Sequence, residues 1–97
     1  MPAYIIGRIA VTDWSRYSEY MKVTPDVVAR FGGKFIARGG EMVTLEGPQQ
    51  THRVVIIEFP SLESAKAFYQ SEDYARAKKL RVGAATAEFL AIDGSPS

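Results

Sequence analysis

The sequence predicts an α+β domain of the ferredoxin-like kind, βαββαβ in order, with a four-stranded antiparallel sheet and two helical segments on one face. Three observations lead there. Runs dense in Ile, Val, Phe and Tyr alternate with capped helical stripes in that order. The two halves echo one another at a constant offset: Ile9, Val11, Asp13, Trp14, Tyr20 and Met21 correspond to Ile57, Phe59, Ser61, Leu62, Phe68 and Tyr69. Right-handed crossovers then leave both helical segments on the same side of the sheet.

Each element has a local cause. Ala3 to Val11 is rich in Ile, Val and Tyr and reads as the first strand. Asp13 is an N-cap, its carboxylate placed to accept from the free amides that open a helix. Trp14, Tyr17, Tyr20, Met21, Val28 and Phe31 then fall on one helical stripe, with Thr24 filling the step before Val28. Pro25 lies inside that stripe without a donor, and Thr24-Pro25-Asp26 resembles a fresh cap, so a kinked or two-piece helix is expected. Gly32-Gly33 stops it. The stretch Phe35 to Gly47, FIARGGEMVTLEG, reads as a long second strand bent at Gly39-Gly40, with Met42 to Gly47 as an outer half able to reach over a partner subunit. Its glycines are not a phosphate cradle, because such a loop opens a helix and here more strand follows. Arg53 to Phe59 is the third strand, dense in β-branched residues. Pro60-Ser61 opens the next helical segment, and Ser71-Glu72-Asp73 recaps it with acids where the helix dipole favours them. Gly83 closes that segment, and Ala87 to Asp93 makes the fourth strand. The domain is expected over residues 1–94, with a loose tail at 95–97.

Composition narrows the function classes. Ninety-seven residues make one small domain, and a chain this short gains from self-association. Twelve basic and eleven acidic residues leave a net charge of +1, without the basic surplus of a nucleic-acid or membrane-surface binder. The chain has no cysteine, which removes disulfides, thiolate catalysis and Cys-based metal sites. No apolar run approaches the ~20 residues of a membrane helix. No signal-peptide pattern opens the chain, so a cytoplasmic protein is expected. RNA-recognition domains share the βαββαβ order, but they stack bases on aromatics of the open sheet face. Here the third strand offers Val54, Ile56 and Glu58 to that face, so no nucleic-acid partner is expected.

Strand alternation divides the sheet into two faces. Ala3, Ile5, Gly7, Ile9, Phe35, Ala37, Gly39, Val55, Ile57, Phe59, Phe89 and Ala91 form a wholly apolar set, assigned to the helix-covered side. The other set is Tyr4, Ile6, Arg8, Ile36, Arg38, Val54, Ile56, Glu58, Glu88, Leu90 and Ile92. That face carries too much contiguous Ile, Leu and Val for solvent, and a second copy packed sheet to sheet is the economical cover.

The chain resembles the domain-of-unknown-function family DUF1330, within the dimeric α+β barrel superfamily. The residues that carry the likeness are Phe31-Gly32-Gly33-Lys34-Phe35, Ala37-Arg38-Gly39-Gly40, Leu45-Glu46-Gly47 and the run from Val54 to Ser61. They continue in Tyr69-Gln70-Ser71-Glu72-Asp73-Tyr74, Leu80-Arg81 and Asp93-Gly94. The resemblance implies a homodimer whose sheets face each other around an internal cavity, and it implies no activity. The superfamily includes cofactor-independent monooxygenases, muconolactone isomerase-like proteins and haem-binding chlorite dismutase-like proteins.

Candidate ligand-binding residues follow from the presumed interior face. Arg38 is either a bidentate contact for a carboxylate or enolate, or a structural ion-pair partner of Glu58 or of a residue across the dimer. Glu58 is either a general base or the partner of Arg8 or Arg38. Arg8 and Tyr4 share that face. Tyr20 and Tyr74 lie on apolar helical stripes, their hydroxyls candidates for a cavity mouth. Arg81 is a candidate second anion contact. His52 is the sole histidine, so a single chain offers no two-His metal site, and no cofactor motif is present. Two functions remain: a dimer handling a small organic molecule, an anion among the candidates, as an oxygenase, isomerase or carrier, or a non-catalytic dimeric module.

Overall fold

In a computed structural model describing residues 1–96, the chain order is β1 (Ala3–Val11), α1 (Trp14–Arg30), β2 (Lys34–Arg38), β3 (Arg53–Phe59), α2 (Leu62–Gln70), α3 (Glu72–Lys79) and β4 (Ala85–Asp93). The four strands form an antiparallel sheet in the order β2-β3-β1-β4. The expected tail extends to Ser97, which lies outside the described residues. β4 starts two residues earlier than its apolar run suggests, because Thr86 and Ala85 continue the ladder opposite Ala10 and Val11.

The caps act as their chemistry dictates. Asp13 accepts from the Arg16 amide at 3.2 Å. Ser61 and Ser64 form a reciprocal capping box, each side chain accepting from the other's amide at 3.1 Å. Ser71 ends α2 and caps α3, its hydroxyl accepting from the Tyr74 amide at 3.1 Å. The helices bury Tyr17, Tyr20, Val27, Val28, Ala65, Phe68, Tyr74 and Ala77 against Ile5, Ile9, Val55, Ile57 and Phe59 of the sheet. Phe68 stands at the centre of an aromatic group, with the rings of Phe31, Phe59 and Tyr74 at centroid distances of 6.2, 5.1 and 4.8 Å. Burying a ring of this kind contributes on the order of 2–3 kcal/mol. Gly7 has no room for a side chain, because the Phe89 ring of β4, its partner in register, lies over it.

Two expectations about backbone are corrected. α1 is one continuous helix through Pro25, which rules out the two-piece form of the expectation. Proline lacks the amide that would bond the Met21 carbonyl four residues back. Arg38 supplies the missing donor, its Nη2 lying 2.8 Å from the Met21 oxygen. The second strand, for its part, ends at Arg38, and residues 39–52 form no strand. A strand needs a ladder partner, and β3 begins only at Arg53. Met42, Val43 and Leu45, the apolar residues of the expected outer half, stand in solvent, Leu45 at 93% exposure.

A third correction decides which face Arg38 serves. β2 pairs with β3 as Phe35↔Ile57, Ala37↔Ile56 and Arg38↔Val55, so Ile36 is an extra residue in the ladder. The irregularity in the strand is therefore at Ile36, ahead of Gly39-Gly40. A bulge breaks the period of two, and every later side chain changes sides. Ala37 joins the open face opposite Ile56, and Arg38 turns to the helix side opposite Val55.

Candidate functional site

The sheet-facing-outward candidates are separated from the rest by the sheet itself. Tyr4, Arg8 and Glu58 project from the open face, where Tyr4 lies opposite Glu58 and Ile92. Their charges are satisfied within the chain: Arg8 pairs with Glu88 at 3.2 Å, and Glu58 with Lys34 at 3.5 Å. Glu58 thus has an ion-pair partner, but it is Lys34, neither Arg8 nor Arg38. Arg8 also donates to Gln50 at 3.3 Å. Around these pairs Ile36, Leu90 and Ile92 are about half exposed, at 50, 56 and 52%.

The helix side holds the other group. Arg38, Tyr20 and Tyr74 line a cavity between the sheet and the helices, together with Tyr17, Thr24 and Arg53. Its volume is about 20 Å³, room for about one water molecule. Tyr20 and Tyr74 touch hydroxyl to hydroxyl at 2.7 Å. Arg81, 7% exposed, stands behind them and donates to the Tyr74 hydroxyl at 3.5 Å, with its guanidinium 5.5 Å from the Tyr20 ring and 5.4 Å from the Phe89 ring. It supports the cavity wall without lining it. Arg38 donates to the Met21 carbonyl and, at 3.3 Å, to the Thr24 hydroxyl, and lies 4.3 Å over the Phe35 ring. Arg53 donates to the Arg38 carbonyl at 3.4 Å and faces the Trp14 ring at 5.8 Å.

Arg53 is the residue the sequence reading passed over. The alternation Phe59, Ile57, Val55 on the buried face, extended by one more step, reaches Arg53. Treating it only as the first residue of a strand hid that. Gly39 belongs with it: its φ of +71° is the left-handed region glycine favours, and a side chain there would collide with the Arg53 guanidinium.

The cavity has a surplus of donors. Among the described residues, none of Arg38, Arg53 and Arg81 takes part in an ion pair; the five that occur are elsewhere. The buried Nε atoms of Arg53 and Arg81 have no hydrogen-bond acceptor. The two tyrosine hydroxyls carry two hydrogens, and their mutual bond uses one. Burial holds the Arg38 pKa below the usual arginine value, and the like charge of Arg53 adds to this. Burial likewise raises Tyr17 and Tyr20, the latter strongly and with a further push from Tyr74, so both are neutral donors near pH 7. For Arg81 burial works against the charge, but the hydrogen bonds and charge interactions with Tyr74 and Tyr20 together outweigh it and the pKa is raised. Cations and hydroxyls converge on a small interior space with no carboxylate among its lining residues. Such an arrangement accepts an oxyanion or a polarised carbonyl oxygen.

Fold and site together define a ferredoxin-like α+β protein with a donor-lined interior. The chain belongs to the DUF1330 family, described as a domain of unknown function, whose model matches residues 2–95. No curated protein matches it. Among solved structures it is similar to a Rhodopseudomonas palustris protein of unknown function, 23% identical, TM-score 0.75, covering 99% of this chain and 84% of that one. A dimeric ferredoxin-like protein of unknown function from Jannaschia sp. CCS1 is 12% identical, TM-score 0.74, covering 97% of this chain and all of the other. SnoaB, a cofactor-independent oxygenase from Streptomyces nogalater, is 11% identical with a TM-score of 0.59, covering 99% and 95% of the two chains. These likenesses establish the ferredoxin-like fold. No helix among the described residues is long and apolar enough to cross a membrane.

Proposed function

We propose that the protein is a homodimer that binds a small organic molecule through an oxyanion or enolisable carbonyl, held by the donors that border the cavity between each chain's own sheet and its helices. The observation that carries this reading is the donor surplus: Arg38, Arg53 and a tyrosine pair stand around one interior, with the buried Arg53 Nε lacking an acceptor and no carboxylate among them. On this reading the site is on the helix side of each sheet, not in the gap between two sheets that the sequence suggests. The chemistry is electrostatic. Guanidinium and hydroxyl donors fixed in a water-poor space stabilise negative charge on a carboxylate or enolate, the stabilisation that oxygenation or isomerisation of an acidic carbon without a cofactor requires. The fold of SnoaB makes such a reaction a fitting candidate.

The dimer is proposed on the open face. Ile36, Leu90 and Ile92 surround ion pairs closed within the chain, so the face presents apolar surface with little uncompensated charge. A two-fold packing of identical faces covers it, and the similar structures from Jannaschia and from Bacteroides fragilis are described as dimeric. A cytoplasmic setting belongs to the same reading, on the absence of cysteine.

The test is a thermal-shift screen with small aromatic and aliphatic acids on the wild type, Arg38→Ala and Arg53→Gln. Acids are expected to raise the melting temperature of the wild type and to lose that effect in both variants. Equal stabilisation of all three proteins refutes the site. A second reading, a non-catalytic dimeric module, is favoured by the water-sized volume and by the bonds of Arg38 to α1; a screen in which no acid shifts the melting temperature selects it.

A further inference from the structure

The interior cavity is too small for an organic acid, and a second hollow lies against it. A groove of about 410 Å³ runs between the end of β1, the start of α1 and the segment after β2, and is lined by Val11, Trp14, Met42, His52 and Arg53. Ile9 and Arg53 border both spaces. Arg53 is the partition: its Nε is buried without an acceptor, while its guanidinium faces the Trp14 ring on the groove side. Trp14 is 56% exposed and Met42 41%, an aromatic face and a soft thioether with little of the chain covering them. The glycine at position 39 leaves the guanidinium its seat, since any side chain there would occupy it.

From this placement we infer that the ligand class is a flat aromatic carboxylate, its ring lying in the outer groove against Trp14 and Met42 and its carboxylate taken by Arg53. The inference rests on the proposed site and specifies its occupant. Each half of the ligand answers one half of the groove. A carboxylate satisfies the arginine that has no anionic partner. A planar ring gains from stacking on an aromatic face and from contact with sulfur, which a saturated ring of the same size gains less. The groove's volume falls in the range of ~300–1,000 Å³ typical of small-molecule sites, whereas the interior alone does not.

Trp14 is the sole tryptophan, so its emission reports on the groove directly. Benzoate, cyclohexanecarboxylate and benzamide are titrated separately into the full chain, following Trp14 fluorescence and melting temperature together. Cyclohexanecarboxylate keeps the charge and lacks the π face; benzamide keeps the ring and lacks the charge. Benzoate is expected to change the emission saturably and to bind at least tenfold more tightly than either. Arg53→Gln is expected to weaken benzoate tenfold or more. Trp14→Leu, at a position 56% exposed, is expected to bring benzoate to the level of cyclohexanecarboxylate, read by melting temperature. Equal binding of the two acids, or a rise in melting temperature with unchanged emission, overturns the aromatic groove while leaving the anion site standing. Absence of any acid binding overturns both.

Discussion

The bond between Arg38 and the Met21 carbonyl makes a strong claim about why α1 tolerates its proline. The perturbation is a double-mutant cycle of Arg38→Ala and Pro25→Ala. In the wild type, Met21 oxygen has no amide four residues ahead, and Arg38 Nη2 reaches it at 2.8 Å. Removing Arg38 leaves that carbonyl without a donor in a half-buried position. An unsatisfied buried polar group costs roughly 1–3 kcal/mol, and partial exposure puts this one near 1. Adding the lost contacts to Thr24 and Phe35, Arg38→Ala is expected to cost about 2 kcal/mol. In the Pro25→Ala background the new amide takes over the carbonyl, and the same substitution should cost about 1 kcal/mol less. The coupling is read from urea unfolding at fixed protomer concentration, with unchanged m-values as the check on comparability. For a chain of this size ~1 kcal/mol corresponds to roughly 4–8 °C in melting temperature. A coupling within about 0.3 kcal/mol of zero refutes the argument that Arg38 replaces the amide that proline removes.

Three further outcomes are expected. Because Tyr17 and Tyr20 have folded pKa values raised above the ordinary 10.0, chiefly by burial, the folded state holds their protons longer than the unfolded state does. Their stabilisation is therefore complete below about pH 10 and falls as pH rises further, by up to about 1.4 kcal/mol per pH unit for each tyrosine; Tyr20→Phe should flatten the alkaline slope of the urea midpoint. Gly7→Ala forces a methyl group into the Phe89 ring and should destabilise by about 1–3 kcal/mol, with Phe89→Leu in the same chain recovering much of the loss in chemical denaturation. Leu90→Asp on the open face should turn a dimer into a monomer by light scattering while leaving the far-ultraviolet circular dichroism of the protomer intact; a wild-type monomer at micromolar concentration would sink the dimer proposal itself.

Most of the architecture was legible because its causes are local. Asp13, Ser61 and Ser71 announce their helices by chemistry that acts within three residues. The alternation in β1, β3 and β4 assigns faces correctly, so Ile5, Ile9, Val55 and Ile57 are buried as expected and Tyr4, Arg8 and Glu58 are on the open side. The open-face charges were also recognisable as pairs, although the partners were not: Lys34 reaches Glu58 because β2 borders β3, a fact of strand order.

The candidate site was legible only in part: Arg53 looks like a mere strand start, and the side of Arg38 depends on one residue, Ile36. A bulge has no composition of its own; it exists only in the register between two strands. Ile36 looks like any other strand isoleucine, yet it reverses the side chains that follow and sends Arg38 to the helices. The same change of side gives Pro25 its explanation and brings Arg38 beside Arg53 and the Tyr20–Tyr74 pair, residues far apart in the chain. The caps, the helices and the faces of β1, β3 and β4 thus came from the chain's local chemistry. The place where cations and hydroxyls meet was set by strand register, a relation between distant segments that no single segment contains.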